Sequence, residues 1–175
     1  MAVNLEEYIA SIRDFPKQGI LFRDVTPLVQ DPEAFHEAVD YFAEYGRKVN
    51  ADVVVGPESR GFIFGAPVAY AMHKGFVPIR KPGKLPRETV SVKYDLEYGS
   101  NELFMHKDAV KPGQRVLIVD DLLATGGTAV AAAKMIEQLG GVVAGIAFVI
   151  NLTGIPQAEE LKKYDVFKLM DLSDQ

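Results

Sequence analysis

The sequence predicts an α/β fold in which a mostly parallel central sheet is flanked by helices. Two observations carry this: strand-length and helix-length segments alternate along most of the chain, and the central strand runs are continuously apolar, as in DVVVG and RVLIV. No internal repeat, low-complexity tract or linker divides the 175 residues, a length that suits one compact domain, residues 1–175.

The elements follow in order. Asn4 is placed to cap a first helix running to about Arg13, with Leu5, Ile9 and Ile12 at helical spacing. Asp31-Pro32 pairs a cap with a proline at the first helical position. It opens a second helix whose apolar side is Phe35, Ala38, Val39 and Phe42, with Gly46 as its stop. Asp52 to Gly56 is a buried strand. Gly61 to His73 has the composition of a packed helix, and Phe76 to Arg80 is a second short strand. After the loop KPGKLPRET, Val90 to Tyr94 and Glu102 to His106 form a strand pair around YGSN. A turn at Lys111 to Gln114 leads into Arg115 to Val119, the most hydrophobic central strand. A helix from about Thr128 to Leu139 ends at Gly140-Gly141. Val142 to Asn151 is the next strand, and Pro156 to Tyr164 a short closing helix. In such sheets ligands lie at the carboxyl ends of the strands, so the loops after Val55, Arg80, Val119 and Ile150 are where a site belongs.

Composition narrows the chemistry. The chain has 24 acidic against 19 Lys and Arg residues, a formal charge of −5, no Cys and no Trp. Disulfide scaffolds and cysteine-based metal, redox or nucleophilic sites are excluded. A chain of this size buries about 70% of its unfolded surface and needs no such staple. The acid excess argues against nucleic acid as a partner. No apolar stretch approaches the roughly 20 residues that cross a bilayer, and the early acids of MAVNLEEYIASIRDF are unlike a signal peptide. The expectation is a cytoplasmic domain with no membrane partner. His36, His73 and His106 show no metal-ligand spacing.

The most informative segment is VLIVDDLLATGGT, Val116 to Thr128. An apolar strand delivers adjacent carboxylates, Asp120 and Asp121. Ala124, Thr125, Gly126, Gly127 and Thr128 follow, immediately ahead of a helix. Paired glycines let backbone N–H groups converge, the helix start adds partial positive charge, and two threonines add hydroxyl donors. That cup suits a phosphate, while the carboxylates suit ribose hydroxyls. Other nucleotide motifs fail. No two glycines are separated by one residue, which removes G-x-G-x-x-G, and Gly56 to Gly61 has Walker spacing but is followed by Phe62 rather than Lys.

This segment resembles the phosphoribosyl pyrophosphate (PRPP) signature of the type I phosphoribosyltransferases. FPKQGILFRDVTPL (Phe15 to Leu28), GPESRGFIFGAPVA (Gly56 to Ala69), RKPGKLP (Arg80 to Pro86) and LEYG (Leu96 to Gly99) resemble the adenine phosphoribosyltransferases of that family, over nearly the full length. The resemblance implies the family's fold, with an amino-terminal hood over residues 1–35 and a flexible β-hairpin lid over 81–103. The implied reaction transfers ribose 5-phosphate from PRPP to N9 of adenine, giving AMP and pyrophosphate, through an oxocarbenium-like displacement with Mg²⁺ as cofactor. A homodimer is also implied.

Site residues follow from the same resemblance. Ser59 and Arg60 belong to the pyrophosphate loop, whose Glu58–Ser59 peptide is expected to be cis. Arg80, Lys81 and Lys84, ahead of Arg87, place four cations within eight residues and would complete a pyrophosphate clamp. Mg²⁺ would bridge substrate oxygens and water with no direct protein ligand. Glu97 is the expected acid/base facing adenine N7, with Arg60 beside it as the other catalytic residue and Tyr98 covering the ribose. Phe22 would stack on adenine, Val25 would present its backbone to the Watson–Crick edge, and Arg23 and Leu152 complete the base site. Xanthine or hypoxanthine as the base, and a PRPP- or purine-binding regulator, are the alternatives. For the regulator, fewer than sixty residues precede GPESRG and no basic recognition helix is present.

Overall fold

The structure, a computed structural model, describes residues 2–96 and 99–175. Its centre is a five-stranded, all-parallel sheet in the order β4-β3-β7-β8-β9, where β3 is Val53–Pro57, β4 Gly75–Ile79, β7 Arg115–Leu123, β8 Val142–Thr153 and β9 Val166–Ser173. Two antiparallel hairpins flank it, β1 (Ala10–Arg13) with β2 (Leu21–Asp24) and β5 (Thr89–Leu96) with β6 (Gly99–His106). The helices are α1 (Thr26–Gln30), α2 (Pro32–Lys48), α3 (Arg60–Met72) and α4 (Gly127–Gln138). No helix among the described residues is long and apolar enough to cross a membrane.

Strand alternation divides the core in two. Val54, Leu117, Val119, Ala147 and Val149 face one way and pack with Phe42 of α2 and Phe64 of α3. Val53, Val55, Val116, Ile118, Ile146 and Phe148 face the other and pack with Ala132, Met135 and Ile136 of α4. Leu103 and Met105 of β6 are buried in this second cluster, and Val90, Val92 and Tyr94 of β5 pack against it. The base of the β5–β6 hairpin is therefore part of the core.

Local signals explain where the elements begin. Asp31 caps α2 by accepting a hydrogen bond from the Ala34 N–H at 2.9 Å, with Pro32 behind it and Arg47 and Lys48 in the last turn. That helix passes Gly46 by two residues.

Four expectations need correction. The helix over Asn4 to Arg13 is a 3-10 turn, Leu5–Tyr8, followed by β1. Asn4 makes no side-chain cap, and pairing with β2 supplies backbone bonds that so short a helix could not sustain. Strand β7 continues four residues past Val119, so Asp120 and Asp121 lie within the strand, held by pairing with β8. The closing helix is a 3-10 turn, Glu159–Lys163, and the chain ends instead on β9, an edge strand that the sequence reading missed. The hairpin strands β5 and β6 are each eight residues long and extend farther than the apolar runs that announced them.

Candidate active site

Strands β3, β4, β7 and β8 all point their carboxyl ends to the same edge of the sheet, and the loops named from sequence gather there. After β3 the Glu58–Ser59 peptide is cis, as the resemblance implies, and α3 starts at once on Arg60. The Arg60 Nε donates to Oδ2 of Asp121 at 2.5 Å. Asp121 is buried, with 8% of its side chain exposed, whereas the Arg60 side chain is half exposed at 51%. The Arg60 guanidinium also lies over the Phe22 ring, its carbon 5.8 Å from the centroid. One arginine thus joins a base-site candidate to a ribose-site candidate.

The segment Ala124 to Thr128 turns from β7 into α4. Gly126 has φ +89°, a left-handed conformation that a side chain would strain, and α4 begins at Gly127. The first amides of the helix have no preceding carbonyl to bond, and the Gly127 N–H makes only a long contact, 3.5 Å, to Thr125 Oγ1. They rim a cavity of about 100 Å³ lined by Asp120, Ala124, Thr125, Gly126, Gly127 and Thr128, a volume suited to one small anion. At its edge, Oδ1 of Asp120 accepts the Asp121 N–H at 2.8 Å. Burial, and next the neighbouring Asp121 charge, push the Asp120 carboxyl well above the usual carboxylate range.

The cationic loop is reached through a residue that sequence reasoning did not single out. Oε1 of Glu58 accepts the Lys81 N–H at 2.8 Å and the Arg80 Nε at 3.1 Å, while the Glu58 N–H donates to the Ile79 carbonyl at 2.9 Å. The Lys81 amide first, and then Arg80, hold the Glu58 carboxyl below its ordinary value, so it stays charged. Only the fold brings Glu58 beside a basic loop more than twenty residues away, and its visible signal was an acid set inside GPESRG. Arg80 is also fixed by paired backbone bonds with Phe104, at 2.8 and 2.9 Å. Ser59, Lys81 and Lys84 are exposed, and Lys84 has no ion-pair partner among the described residues. Arg87 turns away to Asp108, at 2.7 Å to each carboxylate oxygen.

In the amino-terminal hairpin, half-buried Phe22 lies edge-on to Phe15, with ring centroids 5.2 Å apart. The Arg23 guanidinium donates to the Ser173 carbonyl, at 2.8 Å from Nη2, and to the Ser11 hydroxyl at 2.5 Å, tying this hairpin to the end of β9. Val25 is buried, and its carbonyl accepts the Val29 N–H at 3.1 Å. Leu152, opposite Leu172 in the sheet, packs against the same cluster as Val25. Glu97 and Tyr98 lie outside the described residues. Arg60 therefore lies between Phe22 and Asp121, with Asp120 adjoining the anion cup and Glu58 linking its loop to Arg80 and Lys81. Arg23 is engaged elsewhere. Among the described residues no three His, Cys, Asp or Glu side chains group as a metal site.

Comparison with known proteins gives a consistent result. Residues 25–174 match the family model described as phosphoribosyl transferase domain. An adenine phosphoribosyltransferase from Clostridium perfringens is 59% identical over 169 residues, covering 97% of this chain and 98% of the relative. The crystal structure of adenine phosphoribosyltransferase from Thermoanaerobacter pseudethanolicus superposes with a TM-score of 0.92 at 50% identity, covering 97% of this chain and all of that one. The Saccharomyces cerevisiae enzyme, solved with an imino-altritol bisphosphate and adenine, gives 0.83 at 38% identity, covering 95% and 96%.

Proposed function

The chain belongs to the phosphoribosyltransferase family, and on that premise we propose the adenine reaction for its site. The protein transfers the 5-phosphoribosyl group of PRPP to N9 of adenine, giving AMP and pyrophosphate. The bond from the anomeric carbon to the pyrophosphate oxygen breaks, and the bond to N9 forms. The base's imidazole proton passes to Glu97 at N7. The observation that carries this assignment to residues is the chain of contact from Phe22 through Arg60 to Asp121.

In this reading the Thr125 to Thr128 amides and hydroxyls take the 5′-phosphate, with Ala124 at the turn. Asp120 and Asp121 take the ribose hydroxyls. Arg60, Arg80, Lys81, Lys84 and the Ser59 backbone take the charge that builds on the departing pyrophosphate. Phe22 stacks on the base, the Val25 backbone reads its edge, Leu152 closes the other face, and Arg23 fixes the hood from behind. Tyr98 and Glu97 belong to the segment over 81–103, whose part outside the core would act as the lid and keep water from the cationic sugar.

Mg²⁺ is the cofactor in this proposal, and the donor chemistry fits a cation that arrives with its substrate. Asp121 is engaged by Arg60, and Oδ1 of Asp120 already accepts the Asp121 N–H, so the two carboxyls offer no complete cage. Such a cation would supply charge neutralisation to the leaving group, beside Arg60, Arg80, Lys81 and Lys84. We extend the reading to a cytoplasmic homodimer. The exposure of Ile63 and Tyr70 on α3, at 36% and 90%, supports an interface there.

The test is direct. Incubation with adenine, PRPP and Mg²⁺ is expected to yield AMP and pyrophosphate in equal amounts. Absence of AMP overturns the proposal, and faster turnover of hypoxanthine or xanthine reassigns the base.

A further inference from the structure

Tyr94 stands on β5, in the hairpin, yet its side chain ends at the phosphate loop. Its hydroxyl lies 3.2 Å from the Thr128 hydroxyl, and its ring covers Gly127 so closely that a Cβ there would sit 3.1 Å from Cδ2. A side chain at 127 would push the ring back by a few tenths of an ångström. Directly across the hairpin, the Asn101 Nδ2 donates to the Tyr94 oxygen at 3.5 Å. Thr128 lines the anion cup and Tyr94 does not. Tyr94 borders a larger neighbouring cavity, of about 490 Å³, that shares Thr125 and Gly127 with the cup.

The Tyr94–Thr128 contact can run either way, and the Asn101 contact fits one of the two directions. An amide nitrogen only donates, so the Tyr94 oxygen accepts from Asn101 and keeps its own proton to offer to Thr128. A threonine hydroxyl has one proton and two lone pairs. If its oxygen accepts from Tyr94, its own proton points away, toward the cup. We propose that Tyr94 is a positioning residue for the 5′-phosphate, fixing the Thr128 hydroxyl as a donor and so linking the seating of the hairpin to that phosphate. The proposal rests on the phosphoribosyltransferase reading of the cup, and it adds a residue outside the glycine-threonine loop.

Tyr94→Phe keeps the ring on Gly127 and removes only the hydroxyl. One neutral hydrogen bond corresponds to roughly a two- to tenfold change in affinity. The variant is expected to raise KM for PRPP and Kd for ribose 5-phosphate by that factor, with the loss falling on these rather than on kcat, and with Kd for adenine unmoved. In a Thr128→Val background, Tyr94→Phe is expected to add nothing further, because its action runs through that hydroxyl. An unchanged KM for PRPP, a loss confined to kcat, or a full additional loss in the Thr128→Val background would each overturn the proposal. Wild-type binding of ribose 5-phosphate and formation of AMP are measured alongside. Their failure removes the underlying assignment, whereas their success with an indifferent Tyr94→Phe removes only the role of Tyr94.

Discussion

Asp121→Asn separates the charge of Asp121 from its shape. The wild-type carboxylate is buried and accepts the Arg60 Nε at 2.5 Å. Hydrogen bonds to charged groups contribute about 1.5–3 kcal/mol, and solvent around the half-exposed arginine places this one at or below the lower end. Asn still offers an oxygen to Arg60, so the expected loss of stability is about 1 kcal/mol, or roughly 2–4 °C in Tm for a chain of this size. Asp120 makes that loss depend on pH. Its carboxyl is raised by burial and then by the Asp121 charge, so the folded state binds its proton more tightly than the unfolded chain does. Stability therefore declines as pH rises from the unfolded value of about 3.9 through the raised folded value. Asparagine removes the second cause and leaves the first, so the decline is shallower in the variant. Urea unfolding of both proteins at pH 5 and pH 8 should show a smaller gap at pH 8. Turnover should fall at least about tenfold, equivalent to roughly 1.4 kcal/mol of barrier, because the ribose contact and the hold on Arg60 weaken together. Wild-type turnover, or a stability gap that widens with pH, would refute the reasoning.

Two further changes test other parts of the site. Gly126→Ala places a side chain at φ +89° and puts its Cβ inside contact distance of Leu161 Cδ1, so the buried Leu161 side chain must shift. Backbone cost of about 1–2 kcal/mol and overpacking of about 1–3 kcal/mol predict a loss of roughly 2–5 kcal/mol in urea unfolding, and a loss below 1 kcal/mol would contradict the loop geometry. Glu97→Gln is expected to lower kcat at least about tenfold while moving Tm by less than about 2 °C, and an unaltered pH–rate profile would remove Glu97 from proton transfer.

What could be read from the chain alone divides along physical lines. The strands of the sheet centre were legible because continuous apolar runs leave few other places for those residues, and the Asp120 to Thr128 chemistry because it is contiguous. The first hairpin was not: Leu5, Ile9 and Ile12 fit a helical period, while the partner that makes Ala10–Arg13 a strand comes after an intervening turn. Strand β9 was missed because Lys168 and Asp171 interrupt its apolar run on an edge, where they pair with each other at 2.6 Å. Contacts such as Arg60 with Phe22, Glu58 with Arg80 and Tyr94 with Thr128 join segments more than twenty residues apart, and only the fold determines them.

The anchored base of the β5–β6 hairpin sets a boundary on motion. Swinging the whole hairpin off α4 would expose Leu103 and Met105, each buried, at about 1.5–3 kcal/mol apiece. A cost of roughly 3–6 kcal/mol limits that open form to between about one molecule in 160 and one in 25,000. In the proposed lid movement, a cheaper path would pivot at the Tyr94–Asn101 pair, the last across the hairpin to reach the core and the phosphate loop. Substrate held at that loop would then stiffen the hinge itself.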